Sequence, residues 1–558
     1  MRQFRSLAFT CAVALSALTA CGSSGSSDES APADTSTSAT SSTSSAGATT
    51  TASTTTTAPT TTTPAATDGD TIAAHDDPAD YTWNESDVVA IALNGTSASS
   101  SSGSVKVSGS TVTINGAGTY RLTGTLTNGQ IVVDADDDGV VRLILNSVDI
   151  TNASTSPISV TDAKKVVVIL ADNTQNRLTD AATYTFADAS TDEPNAALFS
   201  AADLTIAGTG TLTVKANFND GIASKDGLVI ASGTIVVDAK DDGIRGKDYV
   251  VVKAGTITVR ATGDALKSDN EEDAGAGYIS IASGTFDLTS GGGSTATVAQ
   301  DASAKAIKGL TSVTIAGGTF TINAADDAIH SNVDVTINGG TFAIATGDDA
   351  IHADATLAVN GGTVDIKKSY EGLESAAIRI AGGAITIVSS DDGINAAGGI
   401  NSLTVNGGQT VVTANGDGVD VNGSWTMTAG TVIVNGPTVN NNGALDYDGT
   451  FVLSGGIVLA TGSSGMAQSP SSTSTQPTIA VKLTAVQAAG ATVRIQTANV
   501  DEIVTFAPSK SYQSIVVSTP KLVNGTAYDV LINGSKVATV TATTTNTSTG
   551  GMGTPRVR

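Results

Sequence analysis

Apolar residues through the middle of the chain alternate with polar ones in short bursts. In Val313-Thr314-Ile315-Ala316-Gly317-Gly318-Thr319-Phe320-Thr321-Ile322 two bursts flank a glycine pair, and the layout returns at 335–344, 357–366, 378–387 and 403–412. Period-two alternation over four or five residues predicts short strands with one face buried, and small-residue pairs predict corners with unusual dihedrals. The 3.6-residue period of an amphipathic helix is missing, and glycine is dense.

A second motif lies between the bursts, as in Asp241-Asp242-Gly243-Ile244 and Asp348-Asp349-Ala350-Ile351. Its aliphatic residue falls at Ile222, Ile244, Leu266, Ile307, Ile329, Ile351, Leu373, Ile394 and Val419, in steps of 22, 22, 41, 22, 22, 22, 21 and 25. A fixed period of this size signals stacked coils. Coils of two or three strands without a helix stack as a parallel β-helix, with equivalent residues roughly 4.8 Å apart. The long step is one coil with about 19 extra residues, and Phe320 and Phe342 become neighbours inside the stack. Strands at Thr111–Ile114, Ile131–Val133, Leu143–Leu145 and Val166–Leu170 form earlier, less regular coils, and Trp425–Val434 and Phe451–Leu459 the last two. The fold class predicted is all-β, a parallel β-helix with coils of about 22 residues and a small C-terminal β module.

The ends read differently. Arg2 and Arg5 precede an apolar run from Leu7 to Leu18, too short to span a bilayer, so residues 1–20 read as a signal peptide. Leu18-Thr19-Ala20-Cys21 resembles the lipobox of bacterial lipoproteins, which makes Cys21 the lipidation site and places the protein, lipid-anchored, on the outer face of the cell membrane. An ordinary secretory signal is the alternative, and it also leads out of the cytoplasm. Residues 21–80 are mostly Ser, Thr, Ala and Gly, too poor in large apolar groups to repay ordering, and read as a stalk. The remaining boundaries are the β-helix at 81–465, a linker at 466–478, a β module or cap at 479–545 and a tail at 546–558. With Cys11 removed and Cys21 acylated, no thiol remains to pair.

Net charge is −25. Such a surface repels nucleic acid and anionic headgroups, so membrane contact is expected only through the lipid, and the protein is expected to be a monomer. The same charge suits divalent cations.

Stacking turns sequence positions into columns. Two places before the aliphatic stand Asp220, Asp242, Asp264, Lys305, Asp327, Asp349, Glu371, Asp392 and Asp417; one place after it stand Ala223, Arg245, Lys267, Lys308, His330, His352, Glu374, Asn395 and Asp420. Carboxylates one coil apart repel by about 3.5 kcal/mol at an effective dielectric near 20. Two readings offset that: each Asp accepts backbone N–H bonds at its turn, with bases beside it, or the acids hold Ca²⁺. The candidate metal residues are Asp326, Asp327, Asp348 and Asp349, where the sequence shows surplus acids without bases, Asp264 with Asp269 in the loop Asp269-Asn270-Glu271-Glu272-Asp273, and Asp241 with Asp242, beside Arg245 and Lys247. Arg245, Lys247, Lys267, His330 and His352 are the candidate carbohydrate contacts. His330 and His352, one coil apart, read as a polar ladder at the turn or, with Glu374, as a transition-metal site.

Several strings carry a resemblance: Trp83, Asn195-Ala196-Ala197-Leu198-Phe199-Ser200, Asn219-Asp220-Gly221-Ile222-Ala223-Ser224, Asp241-Asp242-Gly243-Ile244-Arg245-Gly246, Lys267-Ser268-Asp269-Asn270 and Ser369-Tyr370-Glu371-Gly372-Leu373-Glu374. Across residues 81–545 the chain resembles a family of secreted carbohydrate-binding proteins from cellulolytic bacteria. The resemblance implies a right-handed helix like that of polysaccharide lyases, bound calcium, and affinity for cellulose and pectic polysaccharides. The run Ser290-Gly291-Gly292-Gly293-Ser294 departs from the family pattern by lacking an Asp.

Three functions follow. The first is a surface-tethered, calcium-dependent polysaccharide binder, non-catalytic, in which Ca²⁺ bridges acidic columns and polyuronate. The second is a lyase or hydrolase on the same fold, with Arg245, Lys247 or Lys267 as base; a motif repeated around the solenoid argues against a singular catalytic constellation. The third is a structural or adhesive stalk. With Trp83 and Trp425 the only tryptophans, the sequence shows no broad aromatic platform for neutral glycans.

Overall fold

Alternating side chains fix the architecture, because each short strand has an apolar face to bury and parallel neighbours above and below that bury the same kind. The computed structural model describes residues 75–544 apart from 187, 189 and 300. The signal peptide, Cys21, most of the stalk and the tail lie outside the described residues. Strands stack in three parallel ladders through about 14 coils. A representative coil contributes Asp220–Ser224 to the first ladder, Gly227–Ile230 to the second and Thr234–Ala239 to the third. Each pairs with its counterpart one coil on: Ile222 with Ile244, Leu228 with Val250, Ile235 with Ile257.

The register matches the aliphatic series step for step. Ile222, Ile244, Leu266, Ile307, Ile329, Ile351, Leu373, Ile394 and Val419 are partners in succession on the first ladder. The series extends back to Leu198 and Ile158, in coils that lack the acidic motif. All of these side chains are buried. Phe286, Phe320 and Phe342 stack on the third ladder with ring centroids 4.5 Å apart, and Trp425 lies on Phe451 at 3.7 Å.

The 41-residue step is one coil with two enlarged corners. The corner between first and second ladder grows from two residues after Gly246 to nine after Ser268, and the corner leading back to the first ladder from four after Ala261 to 16 after Ser290. Corner glycines behave as their pairing predicts: Gly318 and Gly340 have φ of 119° and 104°, a region closed to most L-residues.

Both ends are finished by antiparallel pairing, which departs from the parallel stacking of the coils. At the start, Val105–Ser108 pairs with Thr111–Ile114. At the far end Tyr512–Ser518 runs antiparallel to Ile457–Gly462 and to Thr478–Gln487, while Val493–Gln496, Glu502–Phe506, Ala527–Ile532 and Ser535–Thr541 form a separate four-stranded sheet. Leu459 shares its apolar cluster with Ile479, Ile515 and Val517, so the C-terminal module is packed onto the last coil.

Residues 75–87 form a strap along the second ladder. Its short 3₁₀ turn Pro78–Tyr81 is capped by the Asp77 carboxylate, which accepts from the Ala79 amide at 2.8 Å. Lys165 Nζ meets Asp80 at 2.7 Å, Lys253 pairs with Asp76, and the His75 ring stacks on Tyr249 at 3.7 Å.

Candidate functional site

Parallel stacking places both sequence columns at the corner where a coil enters the first ladder. Here the carboxylates make a repeated bond across coils. The amide of Asp242 donates to Asp220 Oδ1 at 3.2 Å, that of Asp264 to Asp242 Oδ1 at 2.8 Å, and that of Lys305 to Asp264 Oδ1 at 2.8 Å. Farther along, Asp349 donates to Asp327 at 3.1 Å, Glu371 to Asp349 at 3.0 Å and Asp417 to Asp392 at 2.6 Å. Each accepting acid thus uses one oxygen to hold the next coil's turn, and its second oxygen has surroundings of its own.

Three neighbourhoods dispose of that second oxygen differently. Around Asp242 and Asp264 the bases are already engaged. Lys267 Nζ lies 2.8 Å from Asp242 and 3.7 Å from Asp264, Arg245 donates twice to Asp269 Oδ1 at 3.0 Å, and Lys247 reaches Glu272 at 3.4 Å. Burial alone would lower Lys267, but Asp242 and Asp264 hold its ammonium above its ordinary range. Asp264 is fully buried, and its Oδ2 has no hydrogen-bond partner. Asp241 is exposed at the edge of this group.

The second neighbourhood is mixed. Asp326 and Asp327 are not free of bases: Lys305 Nζ sits 2.7 Å from one and 2.8 Å from the other. Lys305 occupies the acidic column in the preceding coil, so stacking delivers its ammonium to the acids that the linear sequence leaves unpaired. His330 Nδ1 is 2.8 Å from Asp327 Oδ2; His352 Nδ1 is 3.7 Å from that atom and 3.8 Å from both Asp349 Oδ2 and Glu374 Oε2. Burial alone would raise Asp327, but hydrogen bonds from His330 and His352 and the charge of Lys305 hold it well below the usual carboxylate range. Asp349 goes the other way: burial first, then the neighbouring Glu374, push it up to about 11. A groove of about 480 Å³ is lined by Ser294–Val298 of the enlarged corner together with Asp326, Asp348 and Lys368, whose ammonium donates to the Ser294 carbonyl.

The third neighbourhood consists of acids. Oxygens of Asp392, Asp417 and Asp420 lie within 4.8 Å of one another. Burial raises Asp417 to about 8 and Asp420 to about 7, and the charges acting most on Asp420 are Asp392, Asp446, Asp448 and Asp391. The column lists contain Asp417 and Asp420 without marking them as a site, because their closeness requires a carboxylate two places before the aliphatic and another one place after it in the same coil. That coincidence is the signal a sequence reading can use.

Of the predicted carbohydrate contacts, Arg245, Lys247 and Lys267 gather on adjacent coils, His330 and His352 face each other edge-on at 4.9 Å, and His330 is only 8% exposed. The two groups belong to successive stretches of one ladder rather than to one pocket, since the coil of Lys308 separates them.

A parallel β-solenoid with an acidic and basic column at one corner defines the class. Residues 108–299 and 290–350 match the family model described as carbohydrate-binding domain-containing protein, so this stretch carries the likeness to that family. A carbohydrate-binding domain-containing protein of Acetivibrio thermocellus is 44% identical over 135 residues, covering 24% of this chain and 47% of the relative. The chain thus spans about half the length of that curated relative. Among solved structures, the polysaccharide lyase-like protein from C. thermocellum, as a gadolinium derivative, is similar at 31% identity and a TM-score of 0.40, over 49% of this chain and 96% of that one.

Proposed function

We infer that this protein is a cell-surface polysaccharide binder whose first-ladder corner engages pectic or cellulosic chains with the help of calcium, and that Cys21 tethers it by lipid outside the cytoplasm. The observation that carries the reading is the surplus of half-buried acid at Asp392, Asp417 and Asp420, where acids dominate the field and partial burial works against ionisation. All-oxygen donors from adjacent coils suit Ca²⁺, which takes several carboxylate oxygens and tolerates irregular geometry. The groove beside Asp326 and Asp348 offers a second set of oxygens, those of Asp348 exposed and those of Asp326 partly buried against Lys305. Bound there, calcium supplies positive charge that a uronate carboxylate can share. Asp392, Asp417 and Asp420 would hold one ion; Asp326 and Asp348 would present another to a chain lying in the groove, beside Lys368.

A glycan array read with and without chelator tests this. Binding to polyuronates that disappears with the chelator is the expected result. An array with no glycan retained in either condition contradicts the binder reading and leaves a structural stalk. Release of an unsaturated uronate product would assign a lyase instead.

A further inference from the structure

The corner between the second and third ladders lies across the coil from the acidic column, and it holds a different kind of site. The strap and the outer side of the second ladder enclose a cleft of about 790 Å³. Tyr81 and Trp83 come from the strap and pack with Ile144 and Ile169, which project outward from successive strands. Arg121, Asp172 and Lys253 stand among the other lining residues.

Each cation of this cleft is already matched. Arg121 pairs with Glu85, and Lys253 with Asp76. Asp172 adds an acid that is occupied by the Thr209 hydroxyl, so no positive charge is left over for a uronate, sulfate or phosphate. Glu85 also accepts the indole N–H of Trp83 at 3.1 Å, which orients the ring by its edge. The strap itself is held firmly: Arg142 donates to the carbonyls of Asp80 and Ala79 at 2.9 and 2.8 Å, and the Lys165–Asp80 pair is largely buried. A held indole beside alternating donors and acceptors, in a concave site of this size and without excess charge, fits the apolar C–H face and the hydroxyls of a neutral sugar.

We propose that the cleft between Trp83 and Asp172 is a second glycan site, one that takes a neutral oligosaccharide and requires no metal. It rests on the reading of the protein as a glycan binder, but not on the calcium-dependent part of that reading. It also assigns a role to Trp83, since only the folded chain brings Ile144, Ile169 and the Asp172 rim beside it.

The molecule contains its own reporter. Of the two tryptophans, Trp425 is fully buried, so a change of tryptophan emission on adding a soluble sugar reports Trp83. The full chain, titrated with cellohexaose in chelator, is expected to show a saturable emission change, and calorimetry the same affinity with calcium present. Trp83→Ala is expected to weaken calorimetric binding about tenfold or more. Asp172→Ala, which removes a rim acid outside the core, is expected to weaken it with the melting temperature unchanged. Affinity unchanged in both variants, or no saturable signal with the wild-type chain, overturns the proposal. If those failures occur while polygalacturonate is still bound in a calcium-dependent way, only this second site is lost; if polygalacturonate binding fails as well, the glycan-binder reading falls with it.

Discussion

At the scale of single residues, the carboxylate column is a set of turn clamps under electrostatic load. Asp220 shows the consequence. Burial, then the charge of Asp242, raises its carboxyl to about 8 from an ordinary 3.8. Between those values the folded protein keeps a proton that the unfolded chain has released, so this group's contribution is whole below about pH 4 and is lost as pH rises through 8. A shift of that size sets a ceiling of about 6 kcal/mol. Asp220→Asn keeps an oxygen for the Asp242 amide and removes the charge. In thermal melts with chelator, the variant's advantage over the parent is expected to grow from pH 5 to pH 8.5; an advantage independent of pH contradicts this account of Asp220. A corner glycine gives a second test at this scale. Gly340 has a φ of 104°, and an added Cβ would lie 3.1 Å from the carbonyl oxygen of Gly318. Gly340→Ala is therefore expected to cost about 1–2 kcal/mol from the backbone alone, read as a lowered denaturation midpoint, whereas an unchanged midpoint would mean the corner relaxes freely.

At the scale of elements, stability comes from repeated stacking, and the end coils depend on a few large contacts. Trp425, flat on Phe451, stands in the penultimate strands before the C-terminal module. Trp425→Ala is expected to destabilise by about 3–5 kcal/mol, and hydrogen exchange should locate the loss in the last coils. The strap responds differently. Removing Lys165 leaves Asp80 buried without its partner, a loss on the order of 3–5 kcal/mol if nothing moves. Arg142, Lys253 and the His75–Tyr249 stack still anchor the strap, so Lys165→Met is expected to loosen it locally: faster exchange and proteolysis over Pro78–Tyr81, with global melting nearly unchanged. A sharp fall in global melting would show instead that the strap is part of the core.

The coil was legible in the sequence because its signal is local and repeated: the alternation around Phe320 and Phe342 and the steps between aliphatics specify ladder and register without knowledge of distant contacts. Lys305 between Asp326 and Asp327 was less legible. Its residue is visible in the column, but the direction of a long flexible side chain is not. The strap was read as stalk up to residue 80 because its composition is polar and its anchors, Lys165 and Lys253, lie far along the chain. The Trp83 cleft was hidden for the same reason.

At the scale of the whole molecule, a net charge of −25 goes with a solenoid that lines most of its buried acids along one corner, where groups of acids and histidines stand close enough to hold a cation. Calcium is the proposed link between that corner and an acidic polysaccharide. The most direct measurement is the amount of protein retained on insoluble polygalacturonate with calcium and with chelator, with the melting temperature followed in the same buffers. Retention that is lost on chelation and restored by calcium, and that Asp420→Asn weakens, is the result predicted. Retention unchanged by chelation, even where the melting temperature falls, would show that calcium only stiffens the fold and would contradict the bridging role.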